Sequence, residues 1–274
     1  EALAQVAGRL GWDQETMMPR GSADQRSEEM AAMESVLHAR RTDPRVADWL
    51  AQAAPANDVE AAQIRAIRRS HDRATKVPAQ LAEALARTTS RAQGIWAGAR
   101  ADDDVSAFAP ILTEVLDLRR QEAAAIAGDG DAYDALLQDY EPGTTATQIA
   151  ATFDAMRPRL VALRGAVLDR PEPAGVAGTF GPDAQMALAD RVALAFGYDM
   201  TRGRIDKAVH PFSSGSGDDV RITTRTSEDD PFNCLYSTIH EVGHAAYELA
   251  IDPAYRLTPL GQGVSMGVHE SQSR

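Results

Sequence analysis

The chain has little with which to cross-link itself or to enter a membrane. It holds one cysteine, Cys234, in 274 residues, which excludes an intrachain disulfide and any multi-cysteine zinc site. No apolar run reaches the roughly 20 residues that a bilayer-spanning helix needs. Residues 1–10 lack the basic start and long apolar core of a secretory signal, although the chain also lacks an initiating Met. These absences lead to the expectation of a cytoplasmic protein with no membrane partner. Positive charge is short as well: 28 Lys and Arg stand against 40 Asp and Glu, for a net charge of −12. That balance argues against nucleic acid as a partner. It does not exclude a peptide, because a local site can oppose the overall charge. What remains is ordinary globular material, 44% hydrophobic and 25% charged, long enough to bury a sizeable core.

Most of the sequence reads as helix. From Ser22 to about Asp169 it is rich in Ala, Leu, Arg, Glu and Gln, all good helix formers. Asn57 with Glu60, and Thr145 with Gln148, have the spacing of capping boxes. Asp102-Asp103-Asp104 predicts a break followed by an acidic first turn. Gly128-Asp129-Gly130 ends a helix, and Glu141-Pro142-Gly143 is a turn. A looser stretch follows, Arg170 to Gly181, and then a helix from Pro182 to Ala195 with proline at its first position. The pattern then changes. Arg204 to Val209 and Val220 to Thr224 are short candidate strands, separated by a Gly/Ser turn at Ser213 to Gly217. Helix resumes near Asp230.

Histidine is scarce, with six in all: His38, His71, His210, His240, His244 and His269. Two of them fall in His240-Glu241-Val242-Gly243-His244. Histidines four apart on a helix stand one turn above each other, so both imidazoles can reach one ion. Leu235, Ile239, Val242, Ala246 and Leu249 share a face at helical spacing, which predicts that this face is buried and that the histidines line a cleft. Glu241 lies a step around from them, beside the ion rather than on it. Catalytic zinc sites use three protein ligands and keep a position for water. His269-Glu270 follows a loop with two prolines and two glycines, so a returning helix would bring one of them to the ion. Glu270 fits the two-His-one-carboxylate type, with His269 as the competing candidate. Otherwise His269 would sit behind the ligands or face substrate. The chemistry implied is amide hydrolysis by metal-activated water, with Glu241 as general base. Cys234, two turns before the first histidine, reads as a small core residue.

With these residues in place, the chain resembles the carboxypeptidase Taq family of zinc metallocarboxypeptidases. The resemblance is carried by His210-Pro211-Phe212, Asp219-Val220-Arg221-Ile222-Thr223, the HEVGH run and His269-Glu270-Ser271-Gln272-Ser273-Arg274, in that order. Trp12 to Thr16 and Tyr133 to Gly143 add to it. The resemblance implies a mainly α, multi-helix HExxH metallopeptidase fold with a deep cleft and a small β-sheet near the metal site. Residues 1 to about 200 would form a helical cleft wall, and about 201–274 the sheet and metal-binding helices. It implies one Zn2+ per chain, with Co2+ or another divalent metal as a substitute, held by His240, His244 and Glu270. It also implies peptide substrates, removal of single C-terminal residues with broad specificity, and a homodimer. His210, Arg221 and His269 become candidates for substrate binding. Arg221 is equally open to a structural ion pair. A short strand beside the metal helix could pair with an extended peptide. Family members run to about twice this length, so later segments of the cleft are expected beyond Arg274. The alternatives are a zinc endopeptidase and a metal-binding fragment without turnover.

Overall fold

The computed structural model describes residues 1–172 and 174–273. Arg274, the last residue of the His269 motif, lies outside them. The fold is mainly α: α1 (Ala2–Thr16), α2 (Ala23–Arg41), α3 (Pro44–Gln52), α4 (Asp58–Lys76), α5 (Ala79–Ala101), α6 (Val105–Ala127), α7 (Ala132–Leu137), α8 (Ala146–Leu168), α9 (Pro182–Ala195), α10 (Pro231–Ala250) and α11 (Met266–Ser271). Among the described residues, no helix is long and apolar enough to cross a membrane.

The helix ends follow the capping chemistry. Asn57 Oδ1 accepts from Glu60 N at 2.9 Å, and Thr145 and Gln148 make both bonds of a capping box at the start of α8. Asp104 Oδ1 accepts from Ser106 N at 3.0 Å and Ala107 N at 3.2 Å. It therefore caps α6 from outside, and the acidic run stands before the first turn rather than in it. Helix α1 was not anticipated as an element, because residues 1–10 carry no cap or breaker signal.

The strands are β1 (Ile205–Lys207), β2 (Ser213–Ser216) and β3 (Asp219–Thr224), in the order β1-β3-β2. β1 runs parallel to β3, and β2 runs antiparallel to it with Ser213 opposite Ile222 and Ser216 opposite Asp219. This corrects the sequence reading of Ser213 to Gly217 as a turn. The serines form a paired strand, and the turn shrinks to Gly217 and Asp218. Poor intrinsic strand formers are held there by β3, whose other edge is already paired. Being central, β3 also has no free edge for a peptide, and β2 supplies one instead.

The core beneath the sheet joins α9, β3 and α10 through Ala193, Tyr198, Val220, Ile222, Val242 and Ala245, all buried. Tyr198 Oη donates to Val220 O at 2.7 Å, and burial pushes its hydroxyl up to about 12. A polar seam fixes the rotation of α10 against β3. Thr238 Oγ1 donates to Cys234 O at 2.7 Å and lies 3.3 Å from Thr224 Oγ1, which shares a 2.9 Å bond with Ser237 Oγ. Cys234 is buried, as expected of a core residue.

Candidate metal centre

Helix α10 presents both histidines, but its buried face is not the one the apolar pattern implied. Cys234, Thr238, Glu241, Val242, His244, Ala245 and Glu248 are buried, while Leu235, Ile239 and Leu249 are only half-buried and Ala246 is exposed. The buried face is rotated by about one residue toward polar positions. The threonine seam explains the shift: α10 is keyed to β3 by hydrogen bonds as much as by apolar contact.

The second half of the cluster is brought in by α11. Its start is clamped from the Tyr133–Gly143 region: Met266 N donates to Tyr140 O at 2.8 Å, and Gly267 N to Glu141 Oε2 at 2.9 Å. Ser265 caps it through Val268 N. At its other end α11 runs against Gly243. A Cβ there would lie 2.4 Å from Gln272 O and 2.5 Å from Ser273 Cα, so the glycine of HEVGH is what lets the segment carrying Glu270 close on α10. Gly243→Ala is expected to push that segment away. We expect a loss of ~1–3 kcal/mol in stability and weaker metal binding, read by thermal unfolding and by chelator competition. Unchanged values in both would show that the close approach carries no weight.

The result is a convergent donor set. One ligand atom from each of His240, His244 and Glu270 lies within 4.8 Å of the others. His240 Nε2 and His244 Nε2 are 3.1 Å apart, and Glu270 Oε2 lies 3.7 Å and 3.6 Å from them. Burial, reinforced by the neighbouring His269, holds the His244 imidazole below its ordinary pKa. It is therefore neutral with a lone pair to give. Two imidazole nitrogens and one carboxylate oxygen facing a common point fit a catalytic divalent-ion site. His269 is not part of this set. Its Nδ1 lies 2.6 Å from His244 Nδ1 and its Nε2 3.0 Å from Glu248 Oε1. Both ring nitrogens are engaged within the protein, which puts the ring behind His244.

Glu241 is 5% exposed. Burial pushes its carboxyl up to about 7, and the charge of Glu270 adds to the rise. It lines a cavity of about 550 Å³ together with His240, His210, Pro211, Arg225 and Tyr236. His210 is thus on the same cavity as His240, and its segment is pinned to β3 by Thr223 N donating to Phe212 O at 2.9 Å. Arg225 was not singled out from sequence. Its Nε donates to Asn233 Oδ1 at 2.7 Å, and its place on the cavity arises from the β3–α10 connection, which leaves no local signal. Arg221 is already committed: Nε and Nη2 donate to the two Asp219 oxygens at 2.7 Å and 2.9 Å. Asp219 also accepts from Arg9, and the Arg221 guanidinium lies 4.3 Å over the Trp12 ring. It lines a second cavity, of about 450 Å³, with Ser214, Gly215, Ser216, Glu248 and His269. Glu248 is the other residue missed from sequence. A carboxylate one turn past His244 on the same face was a signal available in the spacing.

The family model described as Carboxypeptidase Taq (M32) metallopeptidase matches residues 1–274. Thermostable carboxypeptidase 1 of Thermus thermophilus is 38% identical over 293 residues, covering 99% of this chain and 57% of that protein. Thermostable carboxypeptidase 1 of Pyrococcus furiosus is 32% identical, covering 100% of this chain and 56% of that protein. The crystal structure of the M32 carboxypeptidase from Deinococcus radiodurans superposes with a TM-score of 0.84 at 37% identity, over 99% of this chain and 56% of that one. The chain therefore spans a little over half the length of the relatives it matches.

Proposed function

This chain belongs to the Carboxypeptidase Taq (M32) metallopeptidase family, and from that premise we propose that the protein is a zinc-dependent metallocarboxypeptidase that removes single residues from peptide C-termini with broad specificity. The observation that carries the reading is the convergence of His240, His244 and Glu270, with buried Glu241 lining a cavity together with His240. His240 and His244 would hold the ion through Nε2, and Glu270 through a carboxylate oxygen. A divalent ion there supplies Lewis acidity, polarising the scissile carbonyl and making a bound water acidic near neutral pH. Glu241 takes the proton from the attacking water and delivers it to the leaving amine. With its pKa brought to about 7 by burial and Glu270, it would be only partly ionised in the ion-free site. A nearby cation opposes that rise and favours the base form.

The remaining groups position the peptide. Ser214, Gly215 and Ser216 of β2 line the second cavity together with His269, and an extended peptide can add to such a strand edge through main-chain bonds. His210 lines the ligand-side cavity and could touch the substrate there. Arg221, held by Asp219 and Trp12, shapes the wall. In this reading the helices of residues 1–200 and the sheet and metal helices of 201–274 work as one unit, because α1 reaches across to Asp219 through Arg9. The family resemblance further supports a homodimer.

The test uses a peptide with a free C-terminus and its amidated twin. The free form is expected to lose single C-terminal residues and the amidated form to react ~10²-fold more slowly, the usual scale for losing one buried charge partner. Equal cleavage of both, or internal cuts, would identify an endopeptidase. Metal binding without any turnover would identify an inactive ion-binding chain.

A further inference from the structure

Behind the ligand face of His244 runs a second line of polar contacts, and its direction is fixed by the chemistry of its members. It starts at Glu248, which is 7% exposed. Glu248 Oε1 lies 3.0 Å from His269 Nε2, and His269 Nδ1 lies 2.6 Å from His244 Nδ1. An ionised Glu248 only accepts, so His269 Nε2 then carries the hydrogen of this bond. With the His269 ring neutral, its Nδ1 is bare, and the hydrogen between the two rings belongs to His244 Nδ1. That leaves His244 Nε2 bare, and Nε2 is the atom that faces His240 and Glu270. Read in this order, each bond leaves one consistent tautomer for the next ring.

We propose that Glu248, acting through His269, is a positioning residue that fixes the tautomer and ring orientation of His244 and so presents its Nε2 lone pair to the metal site. The inference rests on the reading of His240, His244 and Glu270 as the ligand set. The surroundings are built for this line. Gly263 N donates to Glu248 Oε1 at 3.1 Å. A Cβ on Gly263 would lie 2.7 Å from His269 Cδ2, 3.2 Å from Tyr247 Cε1 and 3.3 Å from Glu248 Oε1, so the loop must carry glycine for the ring to sit there. Tyr247 packs edge-on against His269, with ring centroids 5.2 Å apart. Glu248 Oε2 is buried with no protein partner among the described residues. A carboxylate retained only to satisfy its own hydrogen bonds would have both oxygens paired. The bond to His269 is what this one offers. Buried in low dielectric, such a line holds its members more firmly than the same bonds would in water.

The experiment measures zinc affinity by chelator competition, and the visible absorption of the cobalt-loaded protein, for Glu248→Ala, Glu248→Gln, His269→Ala, the Glu248→Ala/His269→Ala double variant and Gly263→Ala. Loss of a partner to a ligating histidine typically costs roughly 10–100-fold in metal affinity, and that loss is expected for Glu248→Ala and for His269→Ala. The double variant is expected to lose no more than the worse single one, because both act through one chain of bonds. Glu248→Gln keeps an accepting oxygen and is expected to recover most of the affinity lost by the alanine variant. Gly263→Ala displaces the His269 ring without removing any donor, and is expected to shift the cobalt spectrum. Wild-type affinity in Glu248→Ala, or losses that multiply in the double variant, would overturn the proposal. His240→Ala separates this from failure of the ligand reading. If that variant keeps its metal, the ligand set is wrong. If it loses metal while Glu248→Ala does not, only the positioning role falls. Thermal unfolding of each metal-free variant is recorded alongside: an affinity loss that tracks a collapse in stability across all variants, with no rescue by glutamine, would count against positioning.

Discussion

His240→Ala is expected to abolish stoichiometric binding of a divalent metal. The wild-type chain should take up about one equivalent, in keeping with a single three-ligand site, and the variant should fall by on the order of a thousandfold in affinity. The expectation follows from how few donors converge: His240 Nε2, His244 Nε2 and Glu270 Oε2 are three atoms with no fourth protein ligand beside them among the described residues. His240 is also the less shielded histidine, with 40% of its side chain exposed against 9% for His244. Its replacement therefore opens little core, and a loss of metal can be separated from a loss of fold. Glu270→Ala should follow closely, since it removes the only anionic donor. His269→Ala should cost less than either, because that ring contacts a ligand and not the ion. Elemental analysis after gel filtration decides the matter. A full equivalent retained by His240→Ala would remove the ligand assignment, and a greater loss from His269→Ala than from Glu270→Ala would transfer the third position to His269.

Different physical signals explain why parts of this arrangement could be read in advance and parts could not. The pair His240 and His244 is a local matter of 3.6-residue periodicity, and the start of α9 at Pro182 follows from proline's fixed φ and missing N–H. The approach of Glu270 to the histidine pair was legible only through the chemistry of three-ligand sites, since it stands 26 positions after His244 (270 − 244). The face of α10 was misjudged because apolar periodicity assumes a wholly apolar neighbour, whereas β3 offers it the fully buried Thr224 beside Val220 and Ile222. β2 was hidden for a related reason: Ser-Ser-Gly-Ser has no strand propensity of its own and is ordered by pairing alone. Contacts between distant segments, such as Glu141 with Gly267 or Arg9 with Asp219, leave no mark in either local sequence. They nevertheless place Glu270 beside the two histidines and join α1 to the sheet.

Glu241→Gln is expected to separate binding from turnover. The amide has nearly the shape of the carboxylate but cannot take a proton, so the metal should remain while peptide hydrolysis falls by ~10²–10⁴-fold, the usual contribution of a positioned general base. The same substitution should act on the ion-free fold in the opposite sense. Burial first, and the Glu270 charge second, raise the Glu241 carboxyl from 4.5 to about 7. A carboxylate whose folded pKa lies above its unfolded value is charged more readily in the unfolded chain. Its ionisation therefore costs the folded state nothing below about pH 4.5. The cost grows across the interval up to pH 7 and is complete above it. A rise of this size corresponds to on the order of 3 kcal/mol. Glutamine removes the charge and with it the cost, so the metal-free variant should unfold at a higher temperature than the metal-free wild type at pH 8, and at a similar temperature at pH 4.5. Added metal should narrow the difference at pH 8, because a cation held by His240, His244 and Glu270 would offset the negative charge that Glu241 faces in the wild type. Paired unfolding scans at the two pH values, with and without metal, read this directly alongside the peptide assay. Near-normal hydrolysis by metal-loaded Glu241→Gln would remove Glu241 from the role of base. A stability gain that persists unchanged at pH 4.5 would show that the carboxyl carries no buried-charge cost, and that its position beside the ligands does not tune its protonation.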